Sequence, residues 1–284
     1  MVEVDIQELR RWIGTESVRS DVISEQVCAR IAGTLGKSLK PVTGDVLPIP
    51  WHWLFWLPVP DARKTGIDGH PQRGEFLPPV PLPRRMWAAS QVDLHSPIRV
   101  GEKLECKSCV TDVYEKQSRG GMLIFVKVAH EVLRAKECVL TDIQTIVYRD
   151  HPAGARLESE VHEAPRQARW SKTIRPDPVL LFRYSALMFN AHRIHYDRNY
   201  AVEEEGYSGL VIQGPLIASL LLDLLQDKQS DRRITSFNYR ALHPLFDQSP
   251  FVICGRIEEN IAHLWAQNEA GGLAASIEAT TSKD

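Results

Sequence analysis

The chain has 284 residues, of which 43% are hydrophobic, which is enough for one large core or two of ordinary size. Lys and Arg number 34 against 36 Asp and Glu, so the net charge of -2 gives no electrostatic reason to expect nucleic acid as a partner. The most apolar run, from Leu216 to Leu225, is about half the length that crosses a bilayer, so no membrane-spanning helix is expected.

The first half is predicted to contain two amphipathic helices followed by four strands. The helices end at Gly14 and Gly36, and the second carries an apolar face made of Val22, Ile23, Val27, Ile31 and Leu35. Between residues 41 and 83 prolines recur too often for regular structure, and the aromatic residues there predict a loop that covers another surface. Strands are expected at 86–96, 103–115, 121–134 and 138–149.

The second half repeats this order of elements. A helix from Gly214 to about Gln226 is apolar on nearly all sides, so it must be buried. Strands are expected after it near 232–242, 250–258, 261–269 and 273–280. Residues 151–178 contain four prolines and many charges without periodicity, which is typical of a linker. We therefore predict an N-terminal domain at 1–150, a linker at 151–178 and a C-terminal domain at 179–284.

An amide and two imidazoles are crowded into a short segment that begins at Asn190. Asn190 and His195 are five residues apart, too far for one face of an unbroken helix, but they converge if a helix ends near Asn190. Histidine can accept or donate a proton near neutral pH, whereas asparagine can only orient a water through its amide. The segment therefore predicts a proton-transfer site that acts on a small molecule such as water.

Two pairs of residues have the spacing of metal ligands. Cys106 and Cys109 lie in a predicted strand, where residues three apart point to opposite faces, and no second cysteine pair is present. His192 and His195 have no third ligand marked in the sequence. Neither a metal nor another cofactor is expected.

The segment Asn190-Ala191-His192-Arg193-Ile194-His195-Tyr196-Asp197 resembles the signature of the MaoC-like (hydratase 2) branch of hot-dog-fold enzymes. In that branch an Asp and a His five positions apart add water to acyl thioesters or remove it. His195 matches the family histidine, whereas Asn190 stands where most relatives have Asp. This form is similar to a narrower group, the two-domain hydroxyacyl-thioester dehydratases and the mesaconyl-C4-CoA or itaconyl-CoA hydratases. Residues 68–88, 209–216 and 237–246 also resemble that group.

The resemblance implies an α+β double hot-dog fold, in which two antiparallel sheets each wrap around a central helix and pack as a pseudo-dimer within one chain. It assigns the catalytic motif to the C-terminal domain and leaves the non-catalytic N-terminal domain to form the substrate pocket. Because the two units already pair within one chain, a monomer is allowed, although a homodimer of chains is the expectation.

The residues can be given separate roles. The resemblance makes His195 the acid and base and Asn190 the residue that holds the water. The free N–H of Gly214 at a helix N-terminus is suited to bind the oxygen of a thioester carbonyl as it gains negative charge. His192 and Tyr184 are predicted to line the substrate pocket, with packing as the alternative. The guanidinium groups of the chain that are predicted to meet a carboxylate or the phosphates of coenzyme A belong to Arg183, Arg193 and Arg240.

We therefore expect a hydratase or dehydratase acting on an acyl-CoA, specifically a short branched dicarboxylyl-CoA such as mesaconyl-C4-CoA or itaconyl-CoA. A 3-hydroxyacyl-thioester dehydratase of fatty-acid type and a non-catalytic acyl-CoA-binding protein are the alternatives. A long apolar tunnel through the N-terminal half would favour fatty acyl groups, and a short pocket closed by Arg would favour dicarboxylates.

The cellular compartment is predicted from two further observations. Five charged side chains within the first eleven residues leave no room for the apolar core of a signal peptide. The five cysteines are an odd number in a chain too large to depend on disulfide bonds. Both observations predict a cytoplasmic protein.

Overall fold

The computed structural model describes residues 4–118, 121–150 and 161–283. The elements of these residues follow the chain in the order α1 (Ile6–Arg10), β1 (Glu16–Val22), α2 (Glu25–Thr34), β2 (Arg84–Leu94), β3 (Lys103–Ser118), β4 (Gly121–Arg134), β5 (Glu137–Arg149), β6 (Trp170–Ile174), α3 (Pro178–Leu187), α4 (Gly214–Lys228), β7 (Arg232–Ala241), β8 (Phe251–Glu258), β9 (Ile261–Asn268) and β10 (Leu273–Lys283). Among them no helix is long and apolar enough to span a bilayer.

The strands form one antiparallel sheet in the order β1-β3-β4-β5-β2-β7-β10-β9-β8-β6. Five strands come from each half of the chain, and β2 pairs with β7 in the middle, where Val92 lies opposite Phe237. The two predicted hot-dog sheets are thus present and are continuous through the β2–β7 pair. This pairing places residues of the first half beside residues of the second.

Helix α4 packs on all four strands β7 to β10 of the second half. Its side chains on several sides are fully buried, among them Leu216, Leu221 and Leu222. Pro215 occupies the first turn, where its missing N–H breaks no helical hydrogen bond. The expectation of a helix buried on nearly all sides is confirmed.

The tryptophan-rich segment of the first half covers the sheet in that half. Trp53 donates its indole N–H to Asp142 Oδ2 on β5 at 2.8 Å, and Trp56 donates to the carbonyl of Leu104 on β3 at 3.2 Å. All the aromatic side chains from Trp51 to Trp56 are buried. Helix α2 packs against α3, so one buried cluster contains residues of both halves.

Two predictions of elements need correction. The second helix begins at Glu25, because Ser24 caps it through Val27 N and Val22 belongs instead to β1. The predicted linker at 151–178 is too long, because residues 170–174 form β6 and pair with β8, and α3 begins at Pro178. The two strands that the sequence pattern did not predict, β1 and β6, lie at the edges of the sheet. One side of each strand faces solvent, so its sequence contains polar residues. Residues 151–160 of the predicted linker lie outside the described residues.

Candidate active site

The motif from Asn190 to His195 follows directly after α3. The backbone N–H of Asn190 donates to Ser185 O at 2.9 Å, and residues Arg193–His195 form a 3₁₀ turn. The helix therefore ends before Asn190 and the chain turns back, as the spacing required. Asn190 and His195 both line a cavity of about 2190 Å³ that also reaches Gly214.

His195 is buried and its tautomer is set by one hydrogen bond. Its Nδ1 lies 2.7 Å from the carbonyl oxygen of Val211, which can only accept, so Nδ1 carries the hydrogen and Nε2 is the basic atom. Burial is the main cause that lowers the pKa of His195; the bond to Val211 opposes it and the nearby His70 adds to it, so that the net value is about 4. The imidazole is thus neutral at neutral pH and able to accept a proton.

The side chain of Asn190 is held in a fixed orientation. Its Oδ1 accepts the backbone N–H of His192 at 3.0 Å. With the oxygen engaged, the amide nitrogen is the group that Asn190 can offer to a molecule in the cavity. Asn190 is therefore arranged as a hydrogen-bond donor, which suits the oxygen of a water.

Gly214 is the first residue of α4 and leaves no room for a side chain. A Cβ there would lie 2.9 Å from the Trp87 ring and 3.1 Å from Tyr239 Oη, and these two rings stack at 4.6 Å. Gln213 ties this helix start to α3, because its amide nitrogen donates to Leu181 O and Ser185 Oγ, both at 2.9 Å. Gly214 lines the cavity, and its N–H is one of those at a helix start that no helical carbonyl accepts.

A loop of the first half docks on the motif. A Cβ on Gly69, whose φ is +87°, would lie 1.8 Å from Ala191 O, so the two backbones are in direct contact. Asp68 O accepts the backbone N–H of Arg193 at 2.9 Å. This contact places the ring of His70 4.0 Å from that of His192.

Asp68 and His70 form a dyad beside the motif histidines. Asp68 accepts both the backbone N–H of His70 at 2.9 Å and its Nδ1 at 3.0 Å. Burial raises the pKa of Asp68, but the hydrogen bonds and charge of His70 outweigh it, so the net shift is downward. Burial, with smaller contributions from Arg85 and Arg73, outweighs the raising effect of Asp68 and lowers the pKa of His70 to about 4. Sequence reasoning gave this dyad no role, and its only signal was a short Asp-Gly-His within the region of resemblance.

The ligand atoms of Asp68, His70 and His192 lie within 4.8 Å of one another, which is close enough for a metal ion. Burial is the main cause that lowers the pKa of both His70 and His192, and the charge of the nearby Arg85 lowers both further. A positive potential that disfavours a protonated imidazole also disfavours a divalent cation. The charge of Arg85 thus opposes a cation in this cluster, whereas the carboxylate of Asp68 favours one.

A buried polar cluster lies where the cavity reaches into the first half. Asp142 accepts hydrogen bonds from Trp53 at 2.8 Å, from Gln144 at 2.7 Å and from Ser90. His52 lies 4.0 Å from the same carboxylate, and burial lowers the pKa of His52 to about 4. Nothing in the sequence pattern indicated that these residues meet.

Of the predicted substrate-binding residues, His192 lines the cavity and the others do not. Tyr184 is buried, with its hydroxyl 3.2 Å from Ser219 Oγ. Arg193 pairs with Asp197 at 2.7 Å and lies over the ring of Tyr200.

Two further members of that predicted set, Arg183 and Arg240, are exposed. The structure thus brings together Asn190, His192, His195 and Gly214. Contact of the three arginines with substrate stays a prediction. Asp197 caps the turn that follows the motif, because its Oδ1 accepts the N–H of Tyr200 at 3.1 Å.

Comparison with known proteins gives consistent matches. The sequence model of the hydroxyacyl-thioester dehydratase type 2 family matches residues 50–247. The chain is 41% identical over 266 residues to mesaconyl-C(4)-CoA hydratase of Chloroflexus aurantiacus, and the match covers 93% of this chain and 95% of that protein. It is 25% identical over 272 residues to the mitochondrial hydroxyacyl-thioester dehydratase type 2 of Schizosaccharomyces pombe, covering 84% of this chain and 89% of the relative.

Among solved structures, a MaoC-like dehydratase from Phytophthora capsici shares the fold. It superposes with a TM-score of 0.65 at 15% identity, and the match covers 99% of this chain and 100% of the other. The predicted family, fold and enzyme class are confirmed. The chain belongs to the hydroxyacyl-thioester dehydratase type 2 family of MaoC-like double hot-dog proteins, and it is a hydro-lyase of the hydratase or dehydratase type.

Proposed function

We propose that this enzyme adds water to the double bond of an α,β-unsaturated acyl-CoA thioester, with His195 as acid and base. The observation that carries the proposal is the state of His195, which is buried and neutral, with Nδ1 bound to Val211 O and Nε2 left as the basic atom. It shares one cavity with Asn190 and with the start of α4 at Gly214.

The reaction follows from these three groups. The N–H of Gly214 and the positive end of α4 polarise the thioester carbonyl. A water held by the amide nitrogen of Asn190 loses a proton to His195 Nε2, and its oxygen bonds to the β carbon as the double-bond electrons shift toward the carbonyl oxygen. The resulting enolate then takes the proton from His195 at the α carbon. The reverse sequence removes water from a 3-hydroxyacyl thioester.

The substrate we favour is a short branched dicarboxylyl-CoA such as mesaconyl-C4-CoA or itaconyl-CoA. Support comes from the 41% identity to a protein described as mesaconyl-C(4)-CoA hydratase. The polar cluster around Asp142 also argues against a long fatty acyl tail, because an apolar chain there would leave the ring nitrogens of the buried His52, which have no hydrogen-bond partner among the described residues, in an apolar environment. A homodimer and a cytoplasmic location remain predictions.

The proposal is tested by following the ultraviolet absorbance of conjugated thioesters mixed with the purified enzyme. We expect the absorbance of mesaconyl-C4-CoA to fall as its double bond is hydrated. No change with mesaconyl-C4-CoA, itaconyl-CoA or crotonyl-CoA would contradict the proposed reaction.

Replacement of the proposed base tests the mechanism. We expect His195→Ala to lower kcat about a hundredfold or more, because it removes the proton acceptor. Asn190→Ala should also lower kcat, since the water is then unheld. His162→Ala is the matched control, because that side chain is exposed. Turnover near the wild-type value in His195→Ala would remove His195 from the mechanism.

A further inference from the structure

Arg85 lines the cavity from the first half of the chain. It lies near the start of β2, opposite Tyr148 of β5, and is half-buried. Trp87, two residues further along the same strand, points to the same face of the sheet and packs over Gly214. Arg85 and Trp87 are therefore neighbours on one face of β2. Trp87 lies beside Gly214, where the thioester carbonyl is proposed to bind.

The charge of Arg85 acts directly on the histidines of the site. Arg85, His70 and His192 line the same cavity, and the positive charge of Arg85 adds to burial, the main cause, in lowering the pKa of both histidines. The described part of the chain provides Arg85 with no ion pair to a carboxylate, and the nearby Asp68 is engaged by His70. The guanidinium of Arg85 reaches the neutral hydroxyl of Tyr148 on β5, and a carboxylate would give this half-buried group the anionic partner that it lacks among the described residues.

The neighbouring arginines are already satisfied. Arg73 donates to the carbonyl oxygens of Val80, Leu82 and Pro83, and so holds the loop before β2. Arg84 pairs with Glu205 at 2.8 Å between Nε and Oε2. All three arginines line the cavity, and Arg85 is the one among them without a carboxylate or backbone carbonyl partner in the described residues.

The order of groups along the cavity matches a dicarboxylyl thioester. In such a substrate the second carboxylate is attached to the β carbon, so the α and β carbons separate it from the thioester carbonyl. With the carbonyl at Gly214 and the β carbon near His195, the carboxylate extends toward His192 and His70, whose rings lie 4.0 Å apart. We propose that Arg85 binds this carboxylate and selects dicarboxylyl over uncharged acyl groups. This inference rests on the proposed function.

A comparison of two substrates tests the inference. We expect Arg85→Met to lower kcat/KM for mesaconyl-C4-CoA about a hundredfold, because a charge-assisted pair is lost. With crotonyl-CoA, which has no second carboxylate, the change should stay within about threefold. Arg85→Lys should recover part of the activity toward mesaconyl-C4-CoA, since it restores the charge without the fork of two donors. Arg30→Met, at an exposed position of α2, is the control for net charge.

The outcomes separate the two proposals. Retained activity of Arg85→Met with crotonyl-CoA also shows that the variant is folded. If Arg85→Met and Arg85→Lys lose activity toward both substrates equally, Arg85 has no selective role and the inference is wrong.

Two results with the wild-type enzyme would also contradict the inference. If the enzyme hydrates crotonyl-CoA but not mesaconyl-C4-CoA, both the proposed substrate and the inference are wrong. If chelation by EDTA abolishes wild-type activity and Zn²⁺ alone restores it, the Asp68–His70–His192 cluster holds a cation, which would also overturn the inference.

Discussion

Three histidines that line the cavity have a lowered pKa. Burial lowers the pKa of His52, His70 and His195 to about 4 in each case. Each ring is therefore uncharged at neutral pH, and its protonation requires a more acidic medium than a solvent-exposed histidine would need. A base of this kind stays available over a wide range of pH.

The lowered pKa of His195 predicts an unusual acid limb of activity. We expect kcat/KM to stay nearly constant from pH 8 to about pH 5.5 and to fall below that, as Nε2 becomes protonated near pH 4. A half-maximal point near pH 6.5, the ordinary value for histidine, would show that His195 is not desolvated. The measurement is a kcat/KM profile with crotonyl-CoA, which carries no carboxylate on its acyl group.

Acid unfolding must be separated from this effect. Because the unfolded chain binds protons at these histidines at a higher pH than the folded chain, their contribution to stability is complete above pH 6.5 and is lost as the pH falls toward 4. Circular dichroism at each pH identifies the range in which the enzyme remains folded. Only activity lost within that range counts as titration of His195.

At the scale of elements, the contact between the Gly69 loop and the motif positions His70 in the site. Gly69 has a φ of +87° and a Cβ there would lie 1.8 Å from Ala191 O. We expect Gly69→Ala to lower the free energy of unfolding by about 3 kcal/mol or more and to reduce kcat, because the loop must move away from the motif.

Gly14 provides a matched control for this change. Its φ is +90°, but a Cβ there would meet nothing within 4 Å. Gly14→Ala should therefore show only the backbone cost of a left-handed residue, about 1 to 2 kcal/mol, and normal kcat. Urea denaturation and turnover of both variants make the comparison. Equal effects at the two glycines would mean that the close approach of the loop has no influence on the site.

At the scale of the whole molecule, the two halves are joined by the β2–β7 pair and by a buried ion pair. Arg84 of β2 meets Glu205 of the second half at 2.8 Å, and Tyr200 donates its hydroxyl to the same carboxylate at 3.3 Å. The guanidinium also lies over the ring of Tyr207. Removal of one partner leaves the other charge buried without a counter-ion. The free energy lost in this way is larger than the net contribution of the intact pair to stability.

We therefore expect Glu205→Gln to lower the free energy of unfolding by about 3 kcal/mol, measured by urea denaturation. Glu163→Gln breaks an exposed pair with Arg166 and should change stability by less than about 1 kcal/mol. If the two substitutions have equal effects, the Arg84–Glu205 pair is solvated and does not hold the halves together.

The sequence predicted elements best where the pattern is strongest. Helix α4 was recognised because it is apolar on nearly all sides, and the four strands on either side of the linker because burial imposes a clear periodicity on them. The edge strands β1 and β6 were missed, because half of each strand faces solvent and its residues are mixed in polarity. The start of α2 was misplaced, because an apolar residue of β1 preceded the capping Ser24 by two positions.

For the site, the sequence by itself determined the local group, since Asn190 and His195 are brought together by a helix end and a turn within six residues. The tertiary structure alone decided that Asp68, His70 and Arg85 join them, because these residues lie more than a hundred positions away and only the docking of the two halves makes them neighbours. It also decided the charge state of His195, because desolvation depends on which side chains surround the ring and not on the residues next to it in sequence.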